Sequence, residues 1–428
     1  MEPLEEPRKD WRSLIALIIS ALGMLYFLVQ AISLSALLLI NILNSGINTD
    51  ENILIGMLIW YSLLSGVLLA PIFLLGLCDY REKPIPAWLE TDRPGFQKRL
   101  MWSILVLPVI IVVGWLVAGQ PNLSVFVLGL INILVAGIPV LWFYTIGQRG
   151  LNGGSQVRKW RIFGFSLTIM PVLVMVVEIL VLLILAGFGG LWIAYRTTIN
   201  PQLKAELMLL VNQISLREGD LGSIYKLIEP YILQPSVFFW GFAIFSGIIP
   251  LIEEIMKPIA LWSLAGRKIS PQEGFVGGLL CGAGFAIMEN LLYFQIIVTS
   301  EEWLFVSLGR IGTAVLHMLA SGLIGWGLAR TWCEGKWLLL IATTLGSFFL
   351  HGIWNAFALF SGVFPLFTGN LETTLWQTLL FNLPLILLFL AAGMSIFLIN
   401  QYFRKGTEGQ VLKTQTSIDQ EDIVDDVS

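Results

Sequence analysis

Residues Phe163 to Gly187 read FGFSLTIMPVLVMVVEILVLLILAG, 25 residues with one ionisable side chain, Glu178. A helix needs about 20 apolar residues to cross roughly 30 Å of hydrocarbon, so this stretch is long enough to span a bilayer. Backbone N–H and C=O groups find no partner in lipid, which leaves a helix, bonded within itself, as the form this run takes. The same pattern recurs along the chain. Apolar runs lie near 13–43, 53–77, 100–118, 124–147, 163–187, 237–262, 273–297, 303–329, 337–360 and 374–402. The 428 residues are 56% hydrophobic and 13% charged, against roughly 25% charged in a soluble domain. The expected fold is therefore all-α, a polytopic bundle of about ten membrane spans.

Loop charge orients the spans, because Lys- and Arg-rich loops stay in the cytoplasm. Arg8, Lys9 and Arg12 precede the first run; Arg81, Lys83, Arg93, Lys98 and Arg99 follow the second; Arg149, Arg158, Lys159 and Arg161 follow the fourth. Arg267 and Lys268, Arg330 and Lys336, and Arg404 and Lys405 follow the sixth, eighth and tenth, while the connections after runs one, three, seven and nine carry neither residue. Both termini are expected inside, in a multi-pass protein of a bacterial-type plasma membrane. The first run is too long for a secretory signal, whose apolar core is about 7–15 residues, and reads as a retained anchor.

Polarity divides the chain into residues 1–196, about five spans nearly bare of ionisable groups; 197–236, an outer segment; 237–403, a polar membrane core; and 404–428, an acidic tail. The outer segment opens with Asn200 and Pro201, an N-cap before proline at the first helical position. Leu203, Leu207, Leu210 and Ile214 then recur at helical spacing, which predicts an interfacial helix. The tail, with Asp419, Glu421, Asp422, Asp425 and Asp426, reads as disordered and gives no reason to expect a nucleic-acid partner for the net charge of -4. Cys78, Cys281 and Cys333 form no C-x-x-C pair, so neither a disulfide framework nor a thiolate zinc site is expected.

Ionisable side chains are costly in hydrocarbon, and each one there needs a function or a partner. Spans six to nine concentrate them: Glu253, Glu254 and Lys257; Glu289 and Asn290; Arg310 and His317; His351 and Asn355. The protein's two histidines are both among them. Glu253 and Lys257 are four apart, the favoured order for a pair on one helix face. Pro250 and Pro258 lack an N–H, freeing the carbonyls four residues earlier, so span six is expected to be kinked around the glutamates and to border a wet cavity. Arg310, His317 and Ser321 share a stripe, as do His351, Trp354 and Asn355, and as do Phe285, Glu289 and Tyr293.

A carboxylate near imidazoles and an amide has the parts for water activation and oxyanion stabilisation, hence amide hydrolysis without a covalent intermediate. One Glu and two His are also a zinc set, here Glu254, His317 and His351. Local spacing does not choose between the two. No G-x-S-x-G is present, and Ser321 is expected to hydrogen-bond in the cavity or to its own helix.

In order and on consecutive spans, these residues resemble the PrsW-type intramembrane proteases, relatives of the CPBP (CAAX protease and bacteriocin-processing) group. Glu253-Glu254-Ile255-Met256-Lys257 resembles E-E-x-x-K; Phe285 to Glu289 with Asn290 resembles F-x-x-x-E-N; His317 with Ser321 and Gly322 resembles the third motif; His351 to Asn355 resembles H-x-x-W-N/D. The resemblance covers about residues 237–360. It implies a membrane-embedded peptidase core acting on membrane-anchored proteins, such as anti-sigma factors, with Glu253 or Glu254 activating water. His317, His351 and Asn355 complete the implied catalytic set, with Lys257, Phe285, Glu289, Asn290, Arg310, Ser321 and Trp354 in support. Family members are described as metallopeptidases and as glutamic peptidases; the glutamic form without a cofactor is the favoured expectation, with zinc as the alternative. The wider CPBP pattern has His where Glu289 stands, which shifts the expected oxyanion role to His351 and Asn355.

Two other classes use similar parts. A secondary transporter also places carboxylates and a broken helix at the midplane, yet it shows them in repeats, and spans one to five do not repeat the motifs. An inactive scaffold for membrane partners is the other. The Trp residues near span ends, Trp11, Trp160, Trp303 and Trp337, read as interfacial anchors.

Overall fold

The computed structural model describes residues 11–47, 49–89, 94–217, 221–232, 234–297, 299–368 and 375–425, and among them every regular element is helical. Ten helices are long and apolar enough to cross a membrane: Leu14–Ser45, Asp50–Tyr80, Gln97–Ala118, Pro121–Gln148, Gln156–Ile199, Pro235–Trp262, Pro271–Ile296, Ser300–Glu334, Trp337–Gly362 and Leu379–Gly406. Each expected run overlaps one of these, so they are numbered spans one to ten. The protein is an integral multi-pass membrane protein.

Local chemistry sets several ends. Span seven starts at a reciprocal cap in which Ser270 Oγ accepts from the Glu273 N–H at 3.2 Å and a Glu273 carboxylate oxygen accepts from the Ser270 N–H at 2.7 Å. Thr299 and Glu302 repeat the device for span eight, and Gly335, at φ +67°, ends it in the left-handed region that suits glycine. Asn200 caps the helix Pro201–Ser215 as the sequence predicts, accepting from Leu203 N–H at 3.1 Å; a second helix of this segment, Leu221–Ile232, follows.

The contacts group the chain into two units that cut across the linear division by polarity. Unit 1 comprises residues 1–171, 257–350 and 385–428, and unit 2 comprises 172–256 and 351–384. The first four spans and the start of the fifth thus pack into the same unit as spans seven and eight.

In unit 1, spans seven and eight meet backbone to backbone. A Cβ added at Gly274 would lie 2.4 Å from the Gly325 carbonyl oxygen, one at Gly278 2.1 Å from that of Ser321, and one at Gly282 2.3 Å from that of His317. Three glycines at four-residue spacing therefore form a groove that receives span eight, as small-residue stripes do in membranes. Gly284, on another side of span seven, likewise leaves no room beside Phe163 O and Leu167 N.

The early spans join this unit through a buried polar hub. Asn132 donates from Nδ2 to the Tyr61 hydroxyl at 3.0 Å, and its Oδ1 accepts from Trp303 Nε1 at 2.8 Å. Trp303 is 1% exposed, and the position of Gly114 admits its ring. This corrects the reading of Trp303 as an interfacial anchor: the buried amide of Asn132 needs a donor, and the indole supplies it. Trp337, 62% exposed, keeps an anchor's environment; the side chain of Trp11 lies outside the described residues.

The last helix also departs from expectation. Leu375–Asp425 is one continuous helix, where composition predicts a disordered tail from 404. Extending an existing helix needs no new nucleus, which lets a weakly apolar sequence follow span ten; residues 426–428 lie outside the described residues.

The groove has a measurable consequence. Gly282→Ala is expected to lower stability by about 1–3 kcal/mol, the usual penalty of overpacking. Gly309→Ala, whose Cβ would meet nothing within 4 Å, is expected to be neutral or stabilising. Thermal melts of the purified variants test the difference.

Candidate active site

Within each unit the polar residues singled out in the sequence form a cluster. That of unit 2 is built on spans six and nine. Pro250 removes the N–H that would have bonded the Ser246 carbonyl, and the preceding residues Ile244–Ile248 open into a wide π turn. Span nine is shaped to this irregularity. Gly352 presents no side chain where a Cβ would come within 2.5 Å of Ser246 O. Asn355 donates from Nδ2 to the Phe245 carbonyl at 3.0 Å. A π turn at a functional site and a glycine opposite it are thus one device, holding span nine close and in register.

That register sets His351 beside the glutamates. Its Nδ1 lies 2.9 Å from Glu254 Oε1 and 4.0 Å from Glu253 Oε2. Glu254 is fully buried, with Glu253 and His351 at 5% and 2% exposure. Such a carboxylate accepts the Nδ1 hydrogen and fixes the ring. In the neutral tautomer so held, Nε2 is an acceptor; in the imidazolium it is a donor. The helix Ile249–Met256 that carries the glutamates ends at Met256, ahead of the Lys257–Pro258 turn, so the expected break in span six lies just beyond them.

The cluster of unit 1 is centred on His317, which is fully buried. Lys257 Nζ lies 2.7 Å from Nδ1, and Glu289 Oε2 lies 2.7 Å from Nε2. An ammonium group only donates, so Nδ1 accepts and Nε2 carries the hydrogen given to Glu289. Lys257 also stands 4.7 Å above the Phe285 ring, whose edge-to-face partner is His317 at 5.4 Å. Glu289 is held from its other side by Arg310 Nη2 at 2.6 Å. Arg310 in turn donates from Nε to Asn290 Oδ1 at 2.6 Å and sits 4.3 Å over the Tyr293 ring. Lys257, His317, Glu289, Arg310 and Asn290 form one continuous chain of polar contacts.

Several expectations change in detail. Lys257 Nζ lies 2.7 Å from His317 Nδ1, a contact that its spacing from Glu253 does not foretell. Asn355, expected as an oxyanion donor, uses its amide on the Phe245 carbonyl. Ser321 Oγ is buried and makes no hydrogen bond among the described residues, contrary to the cavity or helix bond expected of it. Its carbonyl is instead the group that Gly278 accommodates. Arg310 is paired with Glu289. Trp354 is buried. The π turn and the role of Gly352 went unread; Pro250, noted in the sequence, was the available signal.

The family model for the PrsW family intramembrane metalloprotease matches residues 207–390. No curated protein and no solved structure gives a match. The chain carries a PrsW domain in its C-terminal half, in accord with an intramembrane peptidase, and the match takes in most of segment 197–236, spans six to nine and the start of span ten.

The buried Arg310–Glu289 pair carries a testable asymmetry. Arg310→Met alone leaves the carboxylate without its guanidinium and is expected to cost about 3–5 kcal/mol. Adding Glu289→Gln is expected to recover part of that loss, a coupling that a double-mutant cycle of melting free energies reads directly.

Proposed function

We propose that the protein is an intramembrane endopeptidase that hydrolyses a peptide bond of a membrane-anchored protein, regulatory proteins such as anti-sigma factors being the substrate class implied by the resemblance. The observation that carries the reading is the buried Glu254–His351 hydrogen bond at 2.9 Å with Glu253 beside it. A fixed carboxylate–imidazole pair next to a second carboxylate, in a region shielded from bulk water, has little use in packing and much in proton transfer.

In the mechanism we infer, Glu253 takes a proton from water as its oxygen attacks the carbonyl carbon of the scissile bond. Glu254 holds His351 in orientation, and His351, as imidazolium, donates from Nε2 to the developing oxyanion. Glu253 then returns the proton to the departing amide nitrogen. Asn355 and Gly352 are positioning residues, acting through the π turn. The Lys257–His317–Glu289–Arg310 chain fixes the second imidazole.

The family description names a metalloprotease, and zinc is the metal whose ligand chemistry bears on these residues. Glu253, Glu254 and a neutral His351 whose Nδ1 hydrogen goes to a carboxylate are of the kinds zinc takes, and would hold it through His351 Nε2 and carboxylate oxygen. A bound zinc would act as Lewis acid and lower the pKa of water. His317 suits that role less, because Lys257 and Glu289 already engage both its nitrogens. The cofactor-free form is therefore the one we favour.

The test compares membrane-protein fragments from cells expressing wild type, Glu253→Gln, Glu254→Gln and His351→Ala at matched levels, in membranes washed with and without a chelator. Fragments cut near a membrane anchor should appear with wild type, fall by about 10²- to 10⁴-fold in the Glu253 variant, and persist after chelation. Loss on chelation with recovery on added zinc would replace the cofactor-free mechanism. Identical fragments in every variant would overturn the peptidase reading and favour a transporter or scaffold.

A further inference from the structure

Unit 1 contains a cavity of about 730 Å³ lined by none of the motif residues above. One wall is the start of span five, with Arg158, Arg161 and Phe165; the other is the end of span six, with Ile259, Trp262 and Arg267. Three guanidinium groups line it and no carboxylate does. The helix Gln156–Thr168 also begins here, its cap made by Ser155 Oγ accepting from the Arg158 N–H at 3.3 Å. The positive end of that helix adds to the field of the arginines. Apart from Ser155 and Ser263 the rest of the lining is apolar, including Ile162, Ala260 and Leu264.

Two of the arginines are partly committed. Arg158 Nη1 lies 3.1 Å from Glu273 Oε1, and Arg161 Nη2 lies 3.9 Å from Asp79 Oδ2. Arg267 is exposed and makes no ion pair among the described residues. Both walls are span ends, where a headgroup layer lies, and by loop charge they face the cytoplasm. A cationic rim over an apolar wall at that depth matches an amphiphile with a negative head. A basic pocket between spans on the cytoplasmic side is the form that recognition of anionic lipid takes.

We propose that this cavity binds an anionic phospholipid, its phosphate on Arg161 and Arg267 and the start of an acyl chain along Phe165, Ile259 and Trp262. The wall carrying Ile259 and Trp262 begins next to Lys257 and Pro258, so an occupant would brace the turn from which Lys257 reaches His317. The binding claim stands apart from the peptidase reading, since it concerns other residues and needs no substrate.

Native mass spectrometry of the full chain in detergent tests it, with phosphatidylglycerol and phosphatidylcholine of the same acyl chains as probes. Wild type is expected to retain phosphatidylglycerol in preference to phosphatidylcholine. Arg161→Gln plus Arg267→Gln should weaken that preference by roughly an order of magnitude or more, given the pull of each cation on anionic lipid. Arg161→Lys plus Arg267→Lys should keep much of it, which separates loss of charge from loss of fold. Arg404→Gln plus Arg149→Gln removes equal charge elsewhere on the same expected side and should leave the preference unchanged. An equal loss in that control would reduce the effect to general charge attraction and overturn the site. Displacement of phosphatidylglycerol by inorganic phosphate alone would assign the arginines to a free anion and overturn the lipid. Retention of the full preference in the Gln variant would overturn both.

Discussion

An ionised or strongly polar side chain in hydrocarbon is stable only where another polar group meets it, and the arrangement of spans six to nine follows from that requirement. Glu254 meets His351; Glu289 meets both His317 and Arg310; Lys257 meets His317. Each imidazole of the chain is thereby fixed by a carboxylate. Fixing a titratable ring beside an acid is what a proton-transfer site needs, so the same interactions that make the fold tolerable in a membrane prepare its chemistry.

Such contacts require helices to approach more closely than ordinary side chains allow. In unit 1 the approach is regular, a glycine every fourth residue of span seven against the backbone of span eight. In unit 2 it is irregular. Pro250 frees a carbonyl, the chain widens into a π turn, and Gly352 and Asn355 of span nine meet the two carbonyls of that turn. One design relies on straight helices and the other on a defect. Both place a histidine on the helix that makes the approach.

The spans were legible because hydrophobic length is a local property, and each of the ten runs overlaps one helix. The caps at Asn200 and the break beyond Glu254 were legible for the same reason, since proline and asparagine act on neighbours a few residues away. What escaped depends on partners far along the chain. Trp303 looked like an interfacial tryptophan because its sequence position sits at a span end; only the fold brings Asn132 to its indole. Asn355 looked like a free amide donor because the π turn whose carbonyl it bonds cannot be read from spacing. The contact of Lys257 with His317 joins residues 60 apart, which spacing along one helix cannot show. The gathering of residues 1–171 with spans seven and eight likewise has no local signature.

Because the chain has two histidines, one spectrum tests the central claim that each is fixed by its own carboxylate. The measurement is the ¹⁵N imidazole spectrum of the full chain labelled at histidine, in lipid, with His317→Gln and His351→Gln for assignment. The account predicts one ring protonated at Nε2 with Nδ1 accepting, His317, and a second with its Nδ1 hydrogen held by a carboxylate, His351. Glu254→Gln should shift the signals of His351 and leave those of His317 in place. Two rings that average between tautomers as free imidazole does, or a His351 signal indifferent to Glu254, would contradict it.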